Sequence, residues 1–393
     1  MRGLRKYLTP FAPDQSGAVS VLYELGGLIA ICDAGGCTGN VCGFDEPRWF
    51  EQKSALFSAG LRDMDTILGR DDRLVEKLVD AASKLDVKFV AIIGTPVPAV
   101  IGTDYKALGR MCEKKLNMPV ITIDTDGMEL YDVGEEKAWL ELFRTFAEKG
   151  KPNRDIEKKR GKIGVLGLTP QDISDLRAPK KIREYYQEKE GKEAICYCMG
   201  ENVCRSTDGL DNHRTAGEVE KNIVVSPAAL AAAKYLEKTF GTPYEVTYPI
   251  VEELVPDMDY RRKKILIVHQ QVIGNAMRAE IRRRCQKVNG DPAVDNNAVI
   301  TVASWFMMKQ ELSEEGDISL REEDDYMELI KKEDYDIVFA DPMMKRMTED
   351  AYKMAGTGCV ADAHETERKR IFIDATHFAV SGKLREEMKK REA

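Results

Sequence analysis

Short runs rich in Val, Ile and Leu recur along the chain, most of them ending in a glycine, a proline or an acid: GLIAICDAG, VKFVAIIGT, MPVITIDTD, KIGVLGLTP, EAICYCMG, NIVVSP, KKILIVHQ, AVITVASW, YDIVFADP and RIFIDAT. Their apolar character is continuous rather than alternating, which is what a strand buried on both faces requires. Helical patterns separate them, so the sheets must be parallel, with helices crossing back over each face. The expected fold is therefore α/β, with repeated Rossmann-like domains built on parallel sheets. Ligands of such sheets bind beyond the carboxyl ends of the strands. Attention therefore falls on the turns that end these runs.

The charged, helix-breaking segment EKGKPNRDIEKKRGK (148–162) reads as a boundary, and PIVEELVPDMDYRRKK marks a second before a fresh strand at Ile265. The expected division is an N-terminal Rossmann-like domain over 1–150, a middle one over 151–258 and a C-terminal one over 259–393. A net charge of −8 argues against a general nucleic-acid binder, which needs a basic face for phosphates. The most apolar stretch is broken by two prolines and two glycines and is too short to span a bilayer, so no membrane segment is expected. The N-terminus lacks the apolar core of a signal peptide, which implies a cytoplasmic location. Nine cysteines in a reducing compartment do not make a disulfide framework, and some of them are available to metal.

Several motifs are missing. The chain has no G-x-x-x-x-G-K-[S/T] loop, no G-x-G-x-x-G after a strand and no C-x-x-C, and it carries only four histidines. What remains is the turn ICDAGGCTGNVCGFDEPRWF, which places Cys32 in the strand and Cys37 and Cys42 in a glycine-rich loop. Thiolates are the usual ligands of iron–sulfur clusters, and glycines at 35, 36, 39 and 43 let backbone amides approach the sulfides. The alternative is that all three are small buried hydrophobes, the common fate of free cysteine. Further along, AICYCMGENVC carries Cys196, Cys198 and Cys204. Strand alternation would put the first two on one face, either toward a cavity or in the core. Cys112, Cys285 and Cys359 have no partner nearby in sequence and read as structural.

The stretch FAPDQSGA…ICDAGGC…LRDMDTILGRDDRLVEKLVDAASKLDVKFVAIIGTPVPAVIGTD…MPVITIDTDGM resembles the nitrogenase component 1 family, which includes the molybdenum–iron protein subunits, their cofactor-assembly scaffolds and the dark-operative protochlorophyllide reductase subunits. NIVVSPAALAAAKYLEKTFGTPY and IFIDATHFAVSGKL resemble its later domains in order. By that resemblance Gly36-Cys37 matches the glycine-cysteine turn that supplies an interfacial cluster ligand. The family's other two ligand positions fall at Pro13 and Thr95, which rules out an eight-iron cluster. The resemblance implies instead a [4Fe–4S] cluster at a subunit interface, held by Cys37 and Cys42 of two chains, with Asp14 as a possible oxygen ligand. The cysteine that anchors the iron–molybdenum cofactor falls on Ser226, so that cofactor is not expected. His377 matches the family's cofactor histidine, and its alternative reading is a strand-end cap. Arg48, beside Asp45 and Glu46, would stabilise a reduced cluster or a substrate carboxylate, or form an ordinary ion pair.

The function implied is that of a nitrogenase-like reductase subunit. It would take electrons from a separate ATP-dependent iron–sulfur reductase and pass them to a small or tetrapyrrole-like substrate, as a homodimer or paired with a paralogous chain. The alternative is a non-catalytic scaffold or carrier for a metallocluster or tetrapyrrole.

Overall fold

A computed structural model describes residues 5–50, 52–62, 71–147, 159–199, 209–287, 297–356 and 370–377. The first sheet comprises β1 (Leu28–Ile31), β2 (Ala55–Ser58), β3 (Val90–Ile93) and β4 (Val120–Ile123), in the order β2-β1-β3-β4. Its helices are α1 (Asp14–Leu22), α2 (Gly36–Asn40), α3 (Asp71–Ser83), α4 (Pro96–Val100), α5 (Tyr105–Leu116) and α6 (Tyr131–Phe146). Leu28, Ala30 and Cys32 point to one face of β1 and pack with Leu74, Val75 and Leu78 of α3 and Leu108 and Cys112 of α5. Helices α1 and α6 pack against the sheet as well. All four residues of β1 and of β3 are therefore buried, which is why these strands read as unbroken apolar runs.

The second sheet joins β5 (Lys159–Leu166), β6 (Glu193–Cys196), β7 (Val219–Val224) and β8 (Tyr244–Val246) in the order β6-β5-β7-β8, with α7 (Ala178–Glu190), α8 (Gly209–Arg214) and α9 (Leu230–Phe240). The third has β9 (Lys264–Val268), β10 (Val299–Ser304), β11 (Ile318–Ser319), β12 (Ile337–Ala340) and β13 (Ile371–Asp374) in the order β11-β10-β9-β12-β13, with α10 (Gln271–Lys287), α11 (Glu323–Glu333) and α12 (Lys345–Met354). Pairing is parallel from β1 to β2 and β3, from β5 to β6 and β7, and from β9 to β10 and β12. Each sheet therefore starts in its middle and grows outward both ways. The first strand of each sheet, with the neighbour at which the order reverses, makes a switch point at the carboxyl ends.

The described chain forms two compact units. One holds the first two sheets, over 11–224 and 228–245; the other holds the third sheet, with 5–10, 225–227 and 246–377. No described helix is long and apolar enough to cross a membrane.

Candidate functional site

The first sheet's switch point lies between β1 and β3, and the loops after both strands meet there. The hydroxyl of Thr95, after β3, donates to the carbonyl oxygen of Cys32 at the end of β1 (2.6 Å). Thr125, after β4, donates likewise to the carbonyl of Gly94 (2.7 Å). Asp33 ties the far side: Oδ2 accepts the Thr38 N–H (2.7 Å), and Oδ1 accepts the hydroxyls of Thr38 (3.0 Å) and Ser58 (2.5 Å). Gly35 turns the chain with φ 116°, a conformation that L side chains rarely adopt, and α2 begins at Gly36. Gly35 is the only one of the four turn glycines with a positive φ. The others contribute openness: a Cβ added at Gly35, Gly36, Gly39 or Gly43 would meet nothing within 4 Å.

The three cysteines of this turn separate cleanly. Cys32 is buried in the core, and burial pushes its thiol up to about 12. Cys37, in α2, and Cys42, in the π-helical turn that follows, are both half-exposed. Burial and then the charge of Asp33 raise the Cys37 thiol; burial and then Glu46 raise that of Cys42. A cation or electron-poor metal beside them would reverse that bias. Among the described residues, no three His, Cys, Asp or Glu side chains gather to hold a metal ion. Two soft donors on an open, glycine-lined backbone thus fit part of an iron–sulfur ligand set and do not by themselves complete one.

Exposed apolar side chains surround this edge. Phe44 follows the cysteine turn, Val97, Val100 and Ile101 lie in or just after α4, and Met128 lies in the loop after β4. Val100 and Met128 are 87% and 82% exposed, far more than a side chain of either type gains from water.

Asp14 lies fully buried at the start of α1. Its Oδ1 accepts the N–H groups of Gln15 and Gly127 (2.8 Å each) and its Oδ2 that of Asp126 (3.0 Å). Burial raises its pKa, and the two loop amides counter that rise. Pro13 pairs as an isolated bridge with Leu130. Arg48 faces inward. Its five N–H groups reach Glu46 (2.7 Å, twice), Glu24 (2.9 Å), the Ser20 carbonyl (2.7 Å) and the Cys198 carbonyl (3.4 Å), and its guanidinium lies over the Tyr23 ring. Burial pulls its pKa down, and Glu46 and Glu24 together drive it above the ordinary value. Of its expected roles, the ion pair is the one this geometry contains.

The second sheet corrects one expectation. Strand alternation stops at Cys196, the last residue of β6, and Cys198 takes a left-handed turn (φ 66°). The two thiols therefore share no strand face. Cys196 lies 3.7 Å from the Pro179 carbonyl, while Cys198 is buried 3.6 Å from Nε2 of His213. Nδ1 of His213 is 2.8 Å from the Gly209 carbonyl, which makes Nε2 the acceptor for the thiol; burial lowers this imidazole to about 4. Cys204 and Cys359 lie outside the described residues. Cys112 and Cys285 are buried.

In the other unit, His377 follows β13. Its backbone N–H donates to the Asp341 carboxylate (3.0 Å), and its buried ring stacks on His269 (4.4 Å between centroids, 12° between planes) with Phe306 edge-on. His269 accepts the Gln270 N–H on Nδ1 (2.8 Å). Burial, then the neighbouring His377, takes its pKa well below the ordinary value. Ser226 is buried beyond β7, and the preceding Val225 carbonyl accepts from the Gln270 amide (2.7 Å). Sequence reasoning missed Asp33, His269 and Asp341. All three stand one or two residues past a strand end, which was the available signal.

The nitrogenase component 1 type oxidoreductase family model matches residues 16–251. The chain belongs to that family. The cofactor-biosynthesis protein NifE of Bradyrhizobium diazoefficiens is 22% identical over 194 residues, 48% of this chain and 32% of the relative. NifE of Clostridium pasteurianum is 26% identical over 200 residues, 50% of this chain and 40% of the relative. The matches thus span well under half of the length of these relatives. Nitrogenase Cp1, solved at pH 6.5, superposes with a TM-score of 0.63 at 13% identity, covering 99% of this chain and 93% of that one. At pH 5 the TM-score is 0.60 at 14% identity, over 88% and 82%. The fold is the α/β architecture of nitrogenase component 1.

Proposed function

We propose that this chain is a nitrogenase-like redox subunit whose Cys37 and Cys42 contribute half of a [4Fe–4S] cluster shared with a second copy or a paralogous chain. One observation carries the reading: the two thiols stand half-exposed in an open turn at a switch point, and exposed apolar side chains flank them on that edge. An isologous pairing across a twofold axis would bring two such turns together and give four thiolates. Asp14 is a candidate oxygen ligand once its loop amides give way, and Gly36 leaves room for the sulfides. Such a cluster would supply one-electron storage, with electrons coming from an ATP-dependent iron–sulfur reductase. His377, buried beside His269, is the candidate group for positioning or protonating a small or tetrapyrrole-like substrate. Ser226 leaves no thiolate for an iron–molybdenum cofactor.

The relatives' role in cofactor biosynthesis favours a second reading, in which the same turn holds a metallocluster for delivery. Anaerobic purification with iron and sulfide analysis, and an electron paramagnetic resonance spectrum after dithionite, tests the shared premise. About two irons per chain is the expectation for one cubane divided between two chains. Cys37→Ser and Cys42→Ser should lose the signal and Cys32→Ser should keep it; the opposite pattern removes the assignment. A reductase then turns over with its ATPase partner, whereas a carrier passes its cluster to an apo-acceptor without ATP.

A further inference from the structure

The carboxylate of Asp33 lies just behind the cysteine turn. It is 3% exposed, just past the end of β1, and all of its partners among the described residues are neutral: the Thr38 N–H and hydroxyl and the Ser58 hydroxyl. No cation pairs with it among the described residues. A buried carboxylate without a counter-charge is costly, and three neutral donors offset only part of that cost. A capping role alone could be met by Asn or Ser, which satisfy a turn amide without the charge. The amide it accepts, Thr38 N–H at 2.7 Å, belongs to the peptide joining Cys37 to Thr38, so the charge stands one peptide away from the Cys37 side chain. The Ser58 bond anchors it to β2 on the other side, fixing both the turn and the charge to the sheet.

We propose that Asp33 is a positioning residue for the cluster turn and lowers the reduction potential of whatever cluster Cys37 binds. The inference rests on the cluster reading above. When the cluster takes one electron from a reductant, dithionite in the test or the reductase partner in use, its net charge becomes more negative by one. No bond forms or breaks and no proton moves. A fixed negative charge nearby in a poorly screened site opposes that gain and shifts the midpoint negative. The neighbouring hydroxyls temper the effect, so removing one without touching the charge should deepen it.

Two measurements on the full chain separate the proposal from the reading beneath it. In the iron-free protein, amide exchange of Thr38 reports the lock directly. The expectation is a protected amide in the wild type and fast exchange in Asp33→Ala; equal rates overturn the positioning role whether or not iron binds. In the reconstituted protein, a dithionite titration followed by electron paramagnetic resonance gives the midpoint. Asp33→Asn should move it to more positive values and Ser58→Ala to more negative ones. A midpoint unmoved in Asp33→Asn, or raised equally by both variants, overturns the electrostatic role. Where Asp33→Asn takes up no iron, Ser58→Ala decides: a negative shift sustains the proposal and any other result overturns it. A wild type that never takes up iron removes the cluster reading, while the exchange experiment still decides whether Asp33 holds the turn.

Discussion

Arg48 is 6% exposed and uses every N–H it has on partners in its own unit, two of them carboxylates. Removing one partner of such a set leaves the others buried and uncompensated, which costs about 3–5 kcal/mol. Arg48→Ala should show that loss in denaturant unfolding, and loss of well under 1 kcal/mol would mean that water reaches Glu24 and Glu46. Glu135 in α6 presents a different case. One oxygen accepts the Thr169 hydroxyl (2.6 Å), and the other is buried with no partner. Burial and the neighbouring Asp172 push its carboxyl well above the usual range. The folded state therefore holds a proton that the unfolded chain releases near the ordinary carboxylate pKa. Stability from this group is full below that value and falls as pH rises toward the folded one. Glu135→Gln should flatten the decline, so its melting temperature gains on the wild type between pH 5 and 8 (bounds on the order of the titration range). A parallel pair of pH curves would show that Glu135 is ionised. These residues were hard to read in advance, because an Asp, Glu or Arg beside a turn looks the same in sequence whether it faces water or the core. The division of the turn's cysteines was readable, because Cys32 sits at the end of an unbroken apolar run and is buried, whereas Cys37 and Cys42 lie among glycines and are half-exposed.

Among the elements, the crossing of α1 and α6 depends on two missing side chains. A Cβ on Gly17 would stand 1.9 Å from the Tyr131 carbonyl oxygen, and one on Gly134 would stand 1.8 Å from that of Asp14. Both obstacles are backbone, so neither helix can yield by a rotamer change. Gly17→Ala or Gly134→Ala should each cost about 3 kcal/mol or more, at the upper end of overpacking. Gly39→Ala, in α2, meets open space and should instead gain about 0.5–1 kcal/mol from helix propensity. The same chemical change is thus expected to have one sign at the α1–α6 crossing and the opposite sign at Gly39, and equal effects would deny the close crossing. The sequence pattern shows the same dependence on surroundings. All ten apolar runs became strands, whereas β2, β8 and β11 went unread. Each of these is a sheet edge with exposed or half-exposed residues, so none has the unbroken apolar signature of a strand covered on both faces.

For the whole molecule, the decisive question is whether the turn proposed to hold the cluster works alone. The apolar side chains around it sit on the loops after β1, β3 and β4, and Val100 is the most exposed of them. Under twofold pairing each substitution enters the interface twice, so one charge becomes two facing charges in a desolvated contact. Val100→Asp should then yield a folded monomer by sedimentation and circular dichroism, and its iron should fall with its self-association. Val299→Asp, also an exposed valine but at the start of β10 in the other unit, should change neither. The coupling is the informative part. Loss of pairing with iron retained would place a complete ligand set in one chain, whereas pairing and iron lost together would require the second chain as a ligand donor. If Val100→Asp stays paired and keeps its iron, the exposed edge is not where the chains meet, and the proposed sharing of a cluster across that edge is overturned.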